Sequence, residues 1–403
     1  MKDQLITLFR TALKSPGYQK KYKNVNVGEA IEDMSKIPFL EYHEILSSPF
    51  DFLTSPLSEA NYVYFSSGTL GKPKTLFYSA ADIERMAHQC TKFSMIEGIS
   101  ERDTVLLLLP LSLWIAGAIT RLGHIGAGAS VVPLSLSGSM NTWKTIASLI
   151  DYTCISSTPS VLMDFATEAP QKAVKIVETT GEPLPTGVRK GIERSYGGEV
   201  YDAYGLTEAV VGVECGEHSG YHYFENSTII EIVDPDTGEV LDEGEEGEIV
   251  VTSLLQHLMP IIRFRTGDLG LVSGAPCECG LYYPRVWVKG RSHLTINLPA
   301  AVKLYPYQIL EAIFLTKGLS PDYEVVVTEN KGIHRLLFRI EADGPVNQRK
   351  AEMNFESLSL DIADLVNSGK VRAELEIVGK GELSRNGIVR HVSRIIDRRT
   401  SYV

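Results

Sequence analysis

From Asn61 to Gly205 the chain alternates short apolar runs of strand character with helix-like segments, and this rhythm restricts it to an α/β architecture more than any other feature. Val105-Leu106-Leu107-Leu108-Leu109 is followed by a helix-like stretch from Leu113 to Ile125 and then by Ser130-Val131-Val132. The alternation continues through Thr142 to Ile150, Cys154-Ile155-Ser156, Lys172 to Glu178 and Val188 to Tyr196. Glycine-bearing turns end several of these runs, and open α/β sheets bind their ligands at such strand ends. At 403 residues the chain exceeds the size at which one core stops growing, so two domains are expected.

The pattern changes beyond Thr228. Ile229-Ile230-Glu231-Ile232-Val233 and Gly247-Glu248-Ile249-Val250-Val251-Thr252 flank the turn-rich Asp234-Pro235-Asp236-Thr237-Gly238, as in a β-hairpin region. After Arg291 the sequence predicts a helix at Tyr307 to Leu315, strands at Tyr323 to Thr328 and His334 to Ile340, one helix at Asn347 to Val366, and a strand at Arg372 to Val378. The expected fold is α/β, with a large multi-layer N-terminal domain over 1–290 and a small mobile α+β C-terminal domain over 291–403. A β-rich subdomain is expected at about 210–289.

A net charge of −11 argues against nucleic acid or an anionic membrane as a partner. The longest apolar stretch, Val105 to Ile119, contains Pro110 and Ser112 and falls short of the roughly 20 residues that span a bilayer. Met1 to Ser15 reads as an amphipathic helix without the apolar block of a signal peptide. Five cysteines in so long a chain make no disulfide framework. A cytoplasmic protein is expected, and a homodimer is compatible with the sequence without being read from it.

Between two β-favouring runs lies Tyr64-Phe65-Ser66-Ser67-Gly68-Thr69-Leu70-Gly71-Lys72-Pro73-Lys74. Glycines let successive backbone N–H groups turn toward one anion, the hydroxyls add donors, and two lysines add charge, a combination suited to a polyphosphate. The usual phosphate loop of nucleotide triphosphatases has Gly, four residues, then Gly-Lys-Ser/Thr opening a helix; here Pro73 follows Gly71-Lys72. Taken alone, a flexible glycine turn between strands accounts for the loop equally well.

Three further segments stand in order behind it: Gly181-Glu182-Pro183, Asp202-Ala203-Tyr204-Gly205-Leu206-Thr207-Glu208 and Ile262-Arg263-Phe264-Arg265-Thr266-Gly267-Asp268. Together the four resemble the adenylate-forming (acyl-AMP) superfamily, most closely its phenylacetate–coenzyme A ligase branch, over nearly the whole chain. The resemblance implies ATP and Mg²⁺. It places Ser66, Ser67, Gly68, Thr69, Gly71, Lys72 and Lys74 on the phosphates, and Gly181, Glu182 and Pro183 against adenine. It also implies that Asp202, Tyr204, Gly205, Thr207 and Arg291 meet the nucleotide, that Glu208 orients the metal, and that Asp268 holds the ribose hydroxyls. Chemistry suits two of these roles, since a carboxylate accepts two hydrogen bonds from a vicinal diol and is a hard ligand for Mg²⁺. Singly, Asp268 also reads as a turn aspartate beside Gly267, and Glu208 as a helix-start carboxylate.

The implied reaction is attack of a small aromatic carboxylic acid on the α-phosphorus of ATP, then capture of the acyl-AMP by coenzyme A. By position, Trp114, Gly117, Val210 and Gly212 fall where the family places its acid, although each also reads as ordinary core. Cys215, His218 and His222 form Cys-x₂-His-x₃-His, and Cys277 with Cys279 forms Cys-x-Cys, donors suited to tetrahedral Zn²⁺. Some members of the resembled branch carry a structural zinc here, which would take Cys215, His222, Cys277 and Cys279, with His218 in reserve. Reduced thiols beside unrelated histidines are the alternative.

Two departures qualify the resemblance. After Gly290-Arg291-Ser292 the family pattern has an aspartate hinge and later a glycine flanking the pantetheine channel, where this chain has His293-Leu294 and Ala300-Ala301. Near the end, Asn386-Gly387-Ile388-Val389-Arg390 replaces Ser-x-Gly-Lys, leaving Arg390 as the candidate for the adenylating cation. These departures leave open an amine or a carrier-protein thiol as acceptor, or a catalytically impaired nucleotide-binding homologue. A zinc-dependent hydrolase is a third class and needs an open metal position.

Overall fold

Apolar residues recur every three or four positions in the first helix, α1 (Lys2–Ala12), and they turn Leu5, Leu8, Phe9 and Ala12 inward. The computed structural model describes residues 2–66, 73–134, 140–168, 172–383 and 393–399. Short helices α2 (Pro16–Lys21), α3 (Val27–Glu32) and α4 (Tyr42–Ser47) follow. Pro16 stands at the first turn of α2, where its missing N–H is harmless, and Ser15 caps the helix by accepting from the Tyr18 N–H.

Strands β1 (Tyr62–Phe65) and β2 (Thr75–Tyr78) pair antiparallel with Phe65 opposite Thr75, the strand-loop-strand arrangement expected from the sequence. Helix α5 (Ala80–Ile96) starts in a capping box between Ser79 and Asp82. Then come β3 (Thr104–Leu108), α6 (Ile115–Gly126), β4 (Ser130–Pro133), α7 (Met140–Leu149), β5 (Cys154–Ser157), α8 (Pro159–Glu168), β6 (Ile176–Thr180), α9 (Thr186–Tyr196) and β7 (Glu199–Gly205). Strands β8 (Val210–Val213), β9 (Tyr221–Tyr223), β10 (Thr228–Val233), β11 (Gly247–Ser253), β12 (Ile261–Ser273) and β13 (Arg285–Arg291) complete the large sheet.

The described strands of that sheet lie in the order β10-β11-β12-β13-β9-β8-β7-β6-β5-β3-β4. From β4 to β7 neighbours run parallel, and Val105 to Leu108 are buried as a continuous apolar run, the pattern of a parallel strand rather than of one with a face in water. At β7 the direction reverses. Strands β7, β8 and β9 pair antiparallel in succession, with Gly205 opposite Val210, so one tight turn marks the change of grammar.

Two compact units emerge, one of Met1–Glu182 with Gly191–Val288, the other of Pro183–Lys190 with Lys289–Val403. In the second, β14 (Ile296–Asn297) and β15 (Lys303–Leu304) make a small ribbon ahead of α10 (Pro306–Phe314). Strands β16 (Leu319–Asn330), β17 (Ile333–Ala342), β18 (Val371–Val378) and β19 (Ser393–Asp397) form a sheet in the order β18-β17-β16-β19. The single helix expected from Asn347 to Val366 is two, α11 (Gln348–Glu356) and α12 (Leu360–Asn367). Ser359 makes the break: its backbone is extended, with φ −158°, and its side chain accepts from the Ile362 N–H at 3.3 Å to start the second helix. Among the described residues no helix is long and apolar enough to cross a membrane.

Candidate active site

The β1–β2 hairpin is pinched at the base of its loop by Ser66. Its N–H donates to the Lys74 carbonyl at 3.0 Å, and its hydroxyl accepts from the Lys74 N–H at 2.9 Å. Ser67, Gly68, Thr69, Gly71 and Lys72 lie outside the described residues. Lys74 turns inward. Its Nζ meets Glu208 Oε1 at 2.5 Å, with the two side chains 7% and 3% exposed. The ammonium also stands 4.2 Å from the ring centre of Tyr42 and 4.7 Å from that of Phe264. Leu40 brings these rings together by bridging to β12: its N–H donates to the Arg263 carbonyl at 2.9 Å, and its carbonyl accepts from the Arg265 N–H at 3.1 Å.

Glu208 comes from the turn joining β7 to β8. Leu206 and Ala209 exchange backbone hydrogen bonds of 2.8 and 3.2 Å across it, leaving Thr207 and Glu208 at the tip. The Thr207 carbonyl accepts from the Tyr78 hydroxyl, and that of Glu208 accepts from Gln256 Nε2 at 2.6 Å. Burial, with the Glu208 and Asp82 carboxylates nearby, pushes the Tyr78 phenol well above its ordinary value and keeps it a donor.

Upstream, the Tyr204 hydroxyl donates to Asp268 Oδ2 at 2.8 Å, joining two of the four sequence segments directly. Gly205, beside Tyr204, is exposed at the end of β7. Asp202 is engaged at both oxygens, by Thr179 Oγ1 at 2.5 Å and the Tyr221 hydroxyl at 2.6 Å. The arginines of the fourth segment, Ile262 to Asp268, serve the fold. Arg263 donates to Glu231 at 2.9 Å and to the Ser35 and Ile37 carbonyls, and Arg265 donates to Glu248 at 2.7 Å and to the Pro235 carbonyl.

Gly181 has φ +80°, a conformation glycine adopts without strain, and it directs the next residue back onto α8. There Glu182 accepts from the Ser160 N–H at 2.9 Å and the Ser160 hydroxyl at 2.8 Å, where the helix N-terminus favours negative charge. Pro183 opens the short segment counted with the second unit. Trp114 is the half-buried residue preceding α6. A methyl group at Gly117 would lie 2.1 Å from the Pro110 carbonyl, and one at Gly212 would lie 2.8 Å from that of His222, so both glycines permit close backbone packing; Val210, on the same strand as Gly212, is buried. Arg291 ends β13 with its carbonyl accepting from Thr295 Oγ1 at 3.0 Å, and Arg390 lies outside the described residues.

The second cluster holds Cys215, His222, Cys277 and Cys279, whose ligand atoms all lie within 4.8 Å of one another. Cys215 and Cys277 sulfurs are 3.7 Å apart, and Cys279 Sγ is 3.4 Å from His222 Nε2. A tetrahedron with zinc–sulfur bonds of about 2.3 Å has sulfur–sulfur edges of about 3.8 Å, so the spacing fits that ion. His222 Nδ1–H donates to the Tyr283 carbonyl at 2.9 Å, which leaves the Nε2 lone pair facing the sulfurs. His218 stands apart, with its ring against Tyr201 and its nitrogens 3.4 and 3.6 Å from Glu214 and Glu199.

Tyr42, Phe264, Tyr78, Tyr221 and Gln256 were not singled out by sequence reasoning. Phe264 sits inside a recognised segment and could have been found by its place between two arginines. Tyr42 carries no local signal, since only the bridge at Leu40 brings it to the site.

A protein-family model described as "AMP-binding enzyme" matches residues 20–259, and one described as "AMP-binding enzyme C-terminal domain" matches residues 301–399. The phenylacetate-coenzyme A ligase of Thermus thermophilus is 29% identical over 330 residues, covering 78% of this chain and 73% of that protein. That of Aromatoleum evansii is 28% identical over 403 residues, covering 95% and 90%. Among solved structures, a 2-hydroxyisobutyryl-CoA ligase in the postadenylation state with an acyl-AMP superposes with a TM-score of 0.80 at 22% identity, covering 98% of this chain and 88% of that one. That likeness establishes the fold.

Proposed function

The chain belongs to the AMP-binding enzyme family, and from that premise we propose that it activates an aryl or arylacetic acid with ATP and transfers the acyl group to coenzyme A. The observation that carries the reading is the convergence of separated segments on two contacts, Lys74 with Glu208 and Tyr204 with Asp268. In the first step a substrate carboxylate oxygen bonds to the α-phosphorus, the bond to the bridging oxygen breaks, and pyrophosphate leaves with that electron pair. In the second, a thiolate attacks the acyl carbon and AMP leaves. No side-chain nucleophile is needed, so the protein contributes alignment and charge.

In this reading residues 1–290 carry the adenylation site and 291–403 the small C-terminal domain. Ser66 to Lys72 with Lys74 hold the phosphates, while Gly181, Glu182 and Pro183 border adenine. Tyr204 meets adenine and Asp268 the ribose hydroxyls, Thr207 meets the phosphate, and Glu208 would hold Mg²⁺, whose positive charge would support the leaving pyrophosphate. Asp202 acts from beneath, through Thr179 and Tyr221, by keeping the end of β7 in place. Trp114 and Val210 border the acid, with Gly117 and Gly212 setting the backbone around it. Arg390 takes the place of the absent lysine, and Arg291 contacts the nucleotide.

A pantetheine thiol, as in coenzyme A, is favoured over an amine acceptor by Ala300 and Ala301. Both hold left-handed backbone, φ 59° and 58°, so the conformation that suits glycine is kept in the segment where the family has one. Cys215, His222, Cys277 and Cys279 would bind zinc as a closed structural site. A cytoplasmic location accords with this chemistry.

Pyrophosphate exchange into ATP across a panel of aromatic acids tests the first step, followed by coenzyme A, amines and a carrier protein as acceptors. Exchange with no acid would overturn the proposal. Stripping zinc should lower the melting temperature while leaving the exchange rate of the still-folded protein unchanged; direct loss of exchange would move the metal into the chemistry.

A further inference from the structure

The carboxylate expected to hold a divalent cation already has a cation. Lys74 Nζ lies 2.5 Å from Glu208 Oε1 in surroundings that expose only 7% and 3% of the two side chains. The ammonium faces Tyr42 at 4.2 Å and Phe264 at 4.7 Å, so two aromatic faces supply attraction that water would otherwise supply. Both walls are fixed by the fold, Phe264 on β12 and Tyr42 at the first residue of α4, tied together through the Leu40 bridge. The partner is fixed too, because Gln256 holds the Glu208 carbonyl and Tyr78 that of Thr207.

We propose that Lys74 is the resident counter-ion of Glu208 and that a divalent cation reaches this carboxylate only by displacing it, with Tyr42 and Phe264 as the positioning residues that set how firmly the lysine is held. A divalent cation on either oxygen of Glu208 would stand close to the buried ammonium, and two such charges in a site shielded from water repel strongly. A nucleotide relieves the competition, since its phosphates give the departing ammonium new acceptors. Metal occupancy at Glu208 is thereby coupled to nucleotide, and metal without nucleotide binds weakly. The inference rests on the reading of Glu208 as the metal-holding carboxylate.

Manganese titration of the full chain without nucleotide, followed by loss of the free-ion paramagnetic resonance signal, tests it apart from catalysis. Tyr42→Leu removes one wall and should tighten manganese binding by about two- to thirtyfold, the range expected for one cation–π contact. Tyr42→Phe keeps the ring and should match the wild type. Adding Glu208→Gln to Tyr42→Leu should abolish the gain. Lys74→Met should give at least about the same gain, and if that variant fails to fold, the Tyr42 series decides. Unchanged affinity in Tyr42→Leu, or a gain that survives Glu208→Gln, would overturn the inference. Pyrophosphate exchange by the wild type tests the functional reading separately, because lysine displacement can fail while exchange persists.

Discussion

Glu208 and Glu97 are each 2% exposed, yet their surroundings are opposite. Glu208 Oε1 lies 2.5 Å from an ammonium held between two rings, an ion pair not aligned as a hydrogen bond, whereas neither oxygen of Glu97 has a hydrogen-bond partner among the described residues. Glu97 follows the end of α5, and the charged groups it senses from the sheet are Glu178 on β6, Asp202 on β7 and Glu214 after β8. Burial first, then those like charges, pushes its carboxyl well above the ordinary range, which favours its protonated form. A buried acid is tolerated either with a cation or with a proton, and the choice decides whether it can hold a metal.

The largest test of this contrast is stability. Lys74→Met leaves the Glu208 carboxylate buried without its cation and should cost about 3–5 kcal/mol in urea unfolding, while the double change with Glu208→Met should recover most of the loss. Glu97→Gln, which replaces a neutral acid by a neutral amide, should cost little. If Lys74→Met costs no more than a surface change, the two sites do not differ as described.

Activity gives the next largest separation. Glu208→Gln should lower acid-dependent pyrophosphate exchange by about 10²–10³-fold, the loss typical of one preorganised charge at a reacting centre. Glu97→Gln should leave the rate within about twofold, since Glu97 lies outside the adenylating groups. Comparable losses in both would bring Glu97 into the site.

The third test uses pH. Because the folded value of Glu97 is raised above its ordinary 4.5, its contribution to stability is fully present below that value and is lost as pH rises through the folded one. Melting temperature measured upward from pH 5 should therefore fall more steeply in the wild type than in Glu97→Gln, with the variant the more stable at alkaline pH. Parallel curves would mean that Glu97 finds a cation in solution.

The two carboxylates also differed in how legible they were. Glu208 stands in a seven-residue segment read through its resemblance to the adenylate-forming superfamily, and the hairpin around Ser66 and Lys74 followed from apolar runs on either side of glycines. Glu97 lies at the end of an amphipathic helix, where an acid normally signals solvent, and only the packing of α5 against the sheet reveals its burial. Tyr42 was hidden for the same reason, because its role depends on a bridge between residues more than 200 positions apart, Leu40 and Phe264. The break at Ser359 was missed because helical periodicity persists across it while one hydroxyl redirects the backbone. His222 was separated from His218 by a neighbour rather than by spacing, since the Tyr283 carbonyl aims one ring and carboxylates occupy the other.

The smallest effect is expected at Glu178, the first of the like charges acting on Glu97. Its Oε2 already receives the Ser156 hydroxyl and lies 2.9 Å from His124 Nε2, so Glu178→Gln can retain an oxygen for both while losing the charge. Burial is the larger cause of the Glu97 shift and is unaffected by this change. Removing the repulsion should therefore lower the folded value of Glu97 only partly, and the slope of melting temperature against pH should flatten by less than about half of what Glu97→Gln achieves. An equal flattening would make repulsion between the acids, rather than loss of water, the reason Glu97 keeps its proton, and the contrast with Glu208 would then be one of neighbouring charge alone.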